Sequence, residues 1–139
     1  MTADCIFCKI VKGEIPSTRI LETDEVYSFL DITPINPGHL LVIPKKHFNT
    51  IFEIPDSILA ELMPCVKRLS KAVYRAVSAE GINIVQNNYR AAGQLIDHAH
   101  FHVIPRFSND GFLTSWPGKT ASPEDLNRVK EKILNLLEK

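Results

Sequence analysis

Apolar positions in the first third of the chain fall in short β-like bursts. Thr18 to Glu22 and Val26 to Leu30 are rich in β-branched and aromatic residues, and the polar triplet Thr23-Asp24-Glu25 between them reads as a hairpin turn. Pro34-Ile35-Asn36-Pro37-Gly38 is turn chemistry, and His39 to Pro44 follows as a third, almost continuously apolar strand. The period then changes. Leu59, Leu62, Val66, Leu69, Val73 and Ala76 recur at spacings of three and four, which predicts a long helix with one apolar stripe. Asp56 is placed to cap its start, Gly81 to end it, and Pro64 within it predicts a kink or a later start. Ile82 to Gln86 and His98 to Pro105 return to the strand pattern. The last segment is a helix, with Ser122 as N-cap, Pro123 at its first position and Asp125 completing a capping-box-like arrangement. Leu126, Val129, Ile133 and Leu136 form its expected buried face. The order strands, helix, strands, helix lacks βαβ alternation. It predicts an α+β domain of about five mainly antiparallel strands, one long central helix and a C-terminal helix.

No linker, repeat or low-complexity tract divides the 139 residues, so residues 1–139 read as one domain with enough chain for a real core. Sixteen basic and sixteen acidic residues give a formal net charge of zero, which argues against nucleic acid or an anionic membrane as partner. Lys45-Lys46 is the one obvious basic cluster and reads as a solvated strand end. No apolar run is long enough to span a bilayer, and the N-terminus lacks a basic region followed by an apolar one. Three cysteines are too few, and odd in number, for a disulfide scaffold; a reducing, cytoplasmic setting is expected. There, Cys5-Ile-Phe-Cys8 reads as a metal half-site or as plain buried thiols, and Cys65 on the apolar helix as core.

His98-Ala-His100-Phe-His102 carries the functional argument. Alternate side chains of a strand share a face, with positions i and i+2 about 6.7 Å apart. Three imidazoles therefore line one side while Ala99, Phe101 and Val103 face the core. Burying three such rings without purpose is costly, because each has two nitrogens that need partners. Such a row either binds metal or acts on phosphate as nucleophile and hydrogen-bond donor. The polar loop Asn87-Asn-Tyr-Arg-Ala-Ala-Gly93-Gln94, just upstream, favours phosphate, since its amides can cradle anionic oxygens.

With Gly93-Gln94 before it and Pro105-Arg106 after it, the row resembles the histidine triad (HIT) superfamily. The likeness extends through Cys5-Ile-Phe-Cys8-Lys-Ile, Phe29-Leu-Asp31-Ile-Thr-Pro and Pro37-Gly38-His39-Leu-Leu-Val-Ile-Pro44-Lys-Lys-His47, in order, and is nearest to the bacterial Hint-like branch. The resemblance implies a HIT-like fold and a hydrolase or transferase acting on the α-phosphate of a nucleotide. His100 is then the nucleophile, forming a covalent nucleotidyl-histidine that water resolves to the nucleoside monophosphate. His102 contacts the phosphate oxygens, and His39 serves the phosphate and leaving-group side. Asp31 holds the ribose hydroxyls. Asn87, Gly93 and Gln94 meet the phosphate, and Ile6, Phe7, Ile10, Ile32 and Leu41 form the slot for a purine base. The substrates implied are nucleoside phosphoramidates, aminoacyl-adenylates or dinucleoside polyphosphates. His47 and His98 complete a structural Cys2His2 zinc site with Cys5 and Cys8. A homodimer is implied, through the long helix and a strand edge, with the segment around Trp116 near the leaving-group side, in some relatives from the partner subunit. Leu95 departs from the family pattern, which often has a hydroxyl there, and Tyr89-Arg90 replaces a smaller pair. Two other readings stay open: a metal-dependent hydrolase that uses the row as ligands, and a nucleotide-binding regulatory protein with little turnover.

Overall fold

The computed structural model describes residues 4–137. Its elements are α1 (Ile6–Lys12), β1 (Arg19–Glu22), β2 (Val26–Leu30), β3 (Leu40–Pro44), α2 (Asp56–Ala76), β4 (Gly81–Gln86), β5 (Phe101–Arg106) and α3 (Pro123–Leu136). The five strands form one sheet in the order β1-β2-β3-β5-β4, every neighbouring pair antiparallel. This is the predicted α+β architecture. No helix among the described residues is long and apolar enough to cross a membrane.

β3 is apolar throughout because both faces of the sheet are covered at its centre. Leu40 and Val42 point, with Val26, Phe101 and Val103, toward α2, where Ile58, Leu62, Cys65, Val66, Leu69 and Val73 pack on them. Leu41 and Ile43 point the other way, with Tyr27 and Phe29, against Phe7 and Ile10 of α1. Alternation along each strand thus feeds two cores. Leu62 is fully buried, so Leu62→Ala is expected to lower stability by about 2–5 kcal/mol, read from the urea midpoint at unchanged slope.

Several local expectations are corrected. Pro55, not Asp56, is the N-cap of α2, and Asp56 is its first-turn acid. The helix neither starts late nor stops at Pro64. Pro64 and Ala60 are both exposed, so the Ala60 carbonyl left without its donor faces water. α2 ends at Ala76, with Ser78 at φ +53°, and Gly81 opens β4 instead. β5 begins at Phe101 rather than His98. α3 has its Ser122 cap, whose hydroxyl accepts from the Asp125 N–H at 3.1 Å. Its apolar stripe, however, is not buried within this chain: Leu126, Val129, Ile133 and Leu136 are 50–83% exposed. Lys45 and Lys46 pair with Glu22 and Glu25, as a solvated strand end does.

Candidate active site

The short α1 sets one wall of the site. Cys5 caps it, its Sγ accepting from the Cys8 N–H at 3.3 Å, and Gly13 at φ +81° ends it. Phe7 is thereby driven edge-on against His98 and His100, with centroids 5.8 and 5.2 Å apart. All five histidines of the protein lie in one string. His47 meets His98 at 5.0 Å, His100 meets His102 at 4.9 Å, and His102 meets His39 at 5.2 Å. His98, His100 and His39 are buried. The rings of His100 and His102 are closer than the backbone repeat of a regular strand.

Hydrogen bonds assign a proton to each ring. His98 Nε2 lies 2.8 Å from the Pro44 carbonyl, which only accepts, so Nε2 carries hydrogen and Nδ1 a lone pair. His100 Nδ1 lies 2.7 Å from the His98 carbonyl; by the same reasoning its lone pair is on Nε2. The backbone N–H of Ile35 points at His39 Nδ1 at 3.0 Å, so Nδ1 accepts and the proton is on Nε2. That proton donates to His102 Nδ1 at 3.0 Å, which leaves His102 with its proton on Nε2. Gly38, at φ +102°, makes the tight turn that delivers His39. A Cβ there would sit 3.2 Å from Val77 Cγ1.

The row divides. His98 Nδ1 lies 3.3 Å from Cys5 Sγ and 3.5 Å from Cys8 Sγ, and His47 Nδ1 lies 3.4 Å from Cys8 Sγ. All four ligand atoms fall within 4.8 Å of one another. A tetrahedral zinc, with bonds of about 2.3 Å to sulfur and about 2.0 Å to nitrogen, sets S···N edges near 3.5 Å, so the residues fit the ion. Burial and the adjacent Cys5 push the Cys8 thiol up to about 11, so a thiolate pair there calls for a cation. His47 Nε2 donates to Asn49 Oδ1 at 2.8 Å, the outer bond that fixes a ligand ring. Asp31, His39 and His102 form a second cluster, and His100 belongs to neither.

A cavity of about 390 Å³ opens beside His100 and His102. Ile6, Phe7, Ile10, Ile32 and Leu41 line it, as do Asp31 and Gly93. An apolar slot ending at two imidazoles suits a flat base joined to an anion. Asp31 Oδ1 accepts from the Thr33 N–H at 2.8 Å and hydroxyl at 3.1 Å, while Oδ2 lies 3.5 Å from His39 Nε2. His39 itself does not line the cavity. Its Nδ1 is taken by Ile35, and its Nε2 faces His102 and Asp31, the two cavity-lining groups through which it meets the site.

The loop between β4 and the row also needs correction. The N–H groups of Gly93 and Gln94 close its turn onto the Arg90 and Tyr89 carbonyls and are not free for an anion. The buried Gln94 side chain fastens the loop, donating to the Asn49 and Ile96 carbonyls and accepting from the Tyr89 N–H. This holds Tyr89 at φ +70°. The Asn87 amide stands over Gly93, 3.5 Å from where a Cβ would be. Arg90 donates to the Leu95 carbonyl at 2.6 Å and lies 3.7 Å from Asp97, so it serves the loop rather than a polyphosphate. Leu95 is 72% exposed at the cavity rim, and Trp116 is 88% exposed and covers no core of its own chain.

The family profile of the HIT domain matches residues 12–109. The chain belongs to the HIT family. A curated HIT relative, the adenosine 5'-monophosphoramidase HNT1 of Candida albicans, is 44% identical over 142 residues, covering 99% of this chain and 93% of that one. The crystal structure of a HIT family member from Bacillus subtilis superposes with TM-score 0.92 at 37% identity, covering 98% and 99% of the two chains. A zinc-bound HIT protein from Mycobacterium smegmatis gives TM-score 0.75 at 32% identity, covering 97% and 96%.

In this HIT protein burial lowers the pKa of all three rings nearest the cavity. His102 falls to about 4 through desolvation, helped by His100 and His39; desolvation also lowers His39 and His100, against the opposing pull of Asp31. All three are therefore neutral near pH 7. For His102 the folded value lies below the unfolded 6.5, so the unfolded chain binds the extra proton first. Its stabilising contribution is complete above pH 6.5 and is lost as pH falls toward about 4. Thermal melts over that range should fall more steeply in wild type than in His102→Gln; equal slopes would refute the assignment.

Proposed function

We propose that the protein hydrolyses a purine nucleoside phosphoramidate, aminoacyl-adenylate or dinucleoside polyphosphate at the α-phosphorus, through a nucleotidyl-histidine on His100. One observation carries this reading: His100 gives its Nδ1 proton to the His98 carbonyl, so its Nε2 holds a lone pair beside an anion-sized space in an apolar slot. A neutral, oriented imidazole is a nucleophile at pH 7 without prior deprotonation.

Nε2 of His100 bonds to phosphorus as the bond to the leaving group breaks; that group keeps the bonding pair and takes a proton from solvent, which the water of the second step returns. The Nε2–H of His102 donates to the phosphate oxygens as charge builds there. Water then attacks the same phosphorus, the P–N bond to His100 breaks, and the monophosphate leaves. Asp31 receives the ribose hydroxyls on Oδ2, and Asn87 reaches the phosphate across Gly93. Acid-labile modification of His100 during turnover, caught by rapid quench and peptide mass analysis, tests the scheme. An adduct that forms with metal chelated favours this reading over a metal-activated water. Turnover without any adduct refutes it.

Asp31→Ala should raise KM for the ribonucleotide about tenfold while leaving KM for the 2′,3′-dideoxy analogue unchanged. An equal rise for both substrates removes the ribose role.

Cys5, Cys8, His47 and His98 are the ligands for a structural zinc. The site is closed, so zinc supplies no chemistry to the reaction but ties α1 to the catalytic segment. The bare stripe of α3 supports a homodimer, since five leucine, isoleucine and valine side chains on one short helix (Leu126, Val129, Ile133, Leu134, Leu136) are 50–83% exposed. Val129→Glu with Ile133→Glu should convert the dimer to monomer in light scattering. A monomeric wild type would end this reading.

A further inference from the structure

Asp110 lies in the turn after β5, its side chain 7% exposed and outside the cavity lining. Its carboxylate gathers five donors. Oδ1 accepts from Arg106 Nη2 at 2.7 Å and the Phe112 N–H at 3.2 Å. Oδ2 accepts from Arg106 Nε at 2.7 Å, the Phe107 N–H at 3.1 Å and Asn36 Nδ2 at 3.0 Å. Arg106 and the two backbone groups suffice to hold the turn. The Asn36 bond does something else, because it crosses to the segment that presents His39.

The Asn36 amide is clamped between Asp110 and the Pro105 carbonyl, to which it donates at 2.9 Å. The Asn36 carbonyl accepts from the His39 N–H at 3.0 Å, closing the turn. In that turn Ile35 aims its own N–H at His39 Nδ1. We infer that Asn36, held by Asp110, is a positioning residue that fixes this turn so that Ile35 pins the proton of His39 on Nε2, and with it the proton of His102 on the face toward phosphate. The reasoning is a matter of proton count. If Ile35 drifts away, Asp31 Oδ2, 3.5 Å from His39 Nε2, is the remaining hold on that proton, and His39 gains access to the Nδ1–H form. Its Nε2 then accepts from His102, and His102 turns a lone pair instead of an N–H toward the substrate oxygens. The inference rests on the proposed role of His102 as phosphate donor.

Long-range ¹H–¹⁵N spectra of the histidine rings in the full, metal-loaded protein read the tautomers without reference to turnover. Wild type should show both His39 and His102 protonated on Nε2. Asn36→Ala should show both rings mixing in the Nδ1–H form. Its kcat should fall on the order of 10- to 100-fold, with KM within about twofold. Asn36→Ser, too short to reach Asp110, should move the same way and serves if the alanine variant does not fold. Ser108→Ala cuts the bond to Glu80 in the same turn but spares Asn36, and should change neither spectrum nor rate. Unchanged tautomers in both Asn36 variants overturn the clamp and leave the proposed reaction standing. Shifted tautomers with unchanged kcat overturn the catalytic consequence, and the role of His102 with it.

Discussion

His100→Ala should lower kcat by at least about 10⁴-fold and abolish the covalent adduct, with nucleotide affinity changed only a few-fold. The size follows from the division of labour among the rings. In the proposed scheme His102 stabilises charge, and loss of one such donor costs about 10²–10³ in rate. Loss of the atom that bonds to phosphorus removes the two-step route itself. The ring of His100 is 6% exposed and packs against Phe7, so a collapsed site would also lower the rate. His100→Gly with added imidazole separates the two causes. Free imidazole occupying the vacated space should restore turnover in a concentration-dependent way and release the nucleotide as its imidazolide or its hydrolysis product. A retained rate in His100→Ala, or a loss that imidazole leaves unchanged while the variant melts normally and binds nucleotide, would remove His100 as nucleophile.

The elements that the sequence revealed are those whose own period is set by burial. α2 shows its stripe because one face meets β3 and β5, and β3 shows continuous apolarity because both its faces are covered. α1 is silent at sequence level: it spans Ile6–Lys12 and its cap is a thiol, not a hydroxyl or carboxylate. The histidine alternation was legible, yet residues 98–100 lie outside β5. Their side chains are held individually, by the cysteines, the Pro44 carbonyl and Phe7, rather than by a ladder. Partners far apart in the chain left no local trace. His39 and His102 are 63 positions apart, and only the fold brings the two rings into contact. Asn36 read as turn chemistry and Arg106 as part of a motif. Asp110 gave no signal: four of its five donors, from Arg106, Phe107 and Phe112, make an ordinary local turn, and the one that ties it to the site comes from Asn36, 74 positions away. The α3 stripe was visible as apolar but not as a surface left bare by its own chain.

Stripping metal from the proposed Cys2His2 site should produce a large loss of stability. The proposed ligands join the start of α1 at Cys5 and Cys8 to His47 beyond β3 and His98 before β5, closing segments that are 39 and 90 or more residues apart. An ion that binds only the folded chain adds about 4 kcal/mol when its free concentration is 1,000 times Kd. At roughly 2–4 °C per kcal/mol for a chain of this size, chelation should lower Tm by about 10–15 °C, and stoichiometric zinc should restore it. Cys8→Ser should reproduce most of the loss and no longer respond to zinc. Because α1 carries Phe7, whose ring abuts His98 and His100, the apo protein should also bind nucleotide more weakly, although zinc takes no part in the chemistry. The two effects have different signatures. Loss of a structural ion shifts Tm and KM and leaves the adduct on His100 chemically competent at saturating substrate. Loss of a catalytic ion would stop adduct formation even at saturating substrate, whatever its effect on Tm. A Tm that chelation and Cys8→Ser both leave unmoved would mean that the four side chains meet without a metal between them.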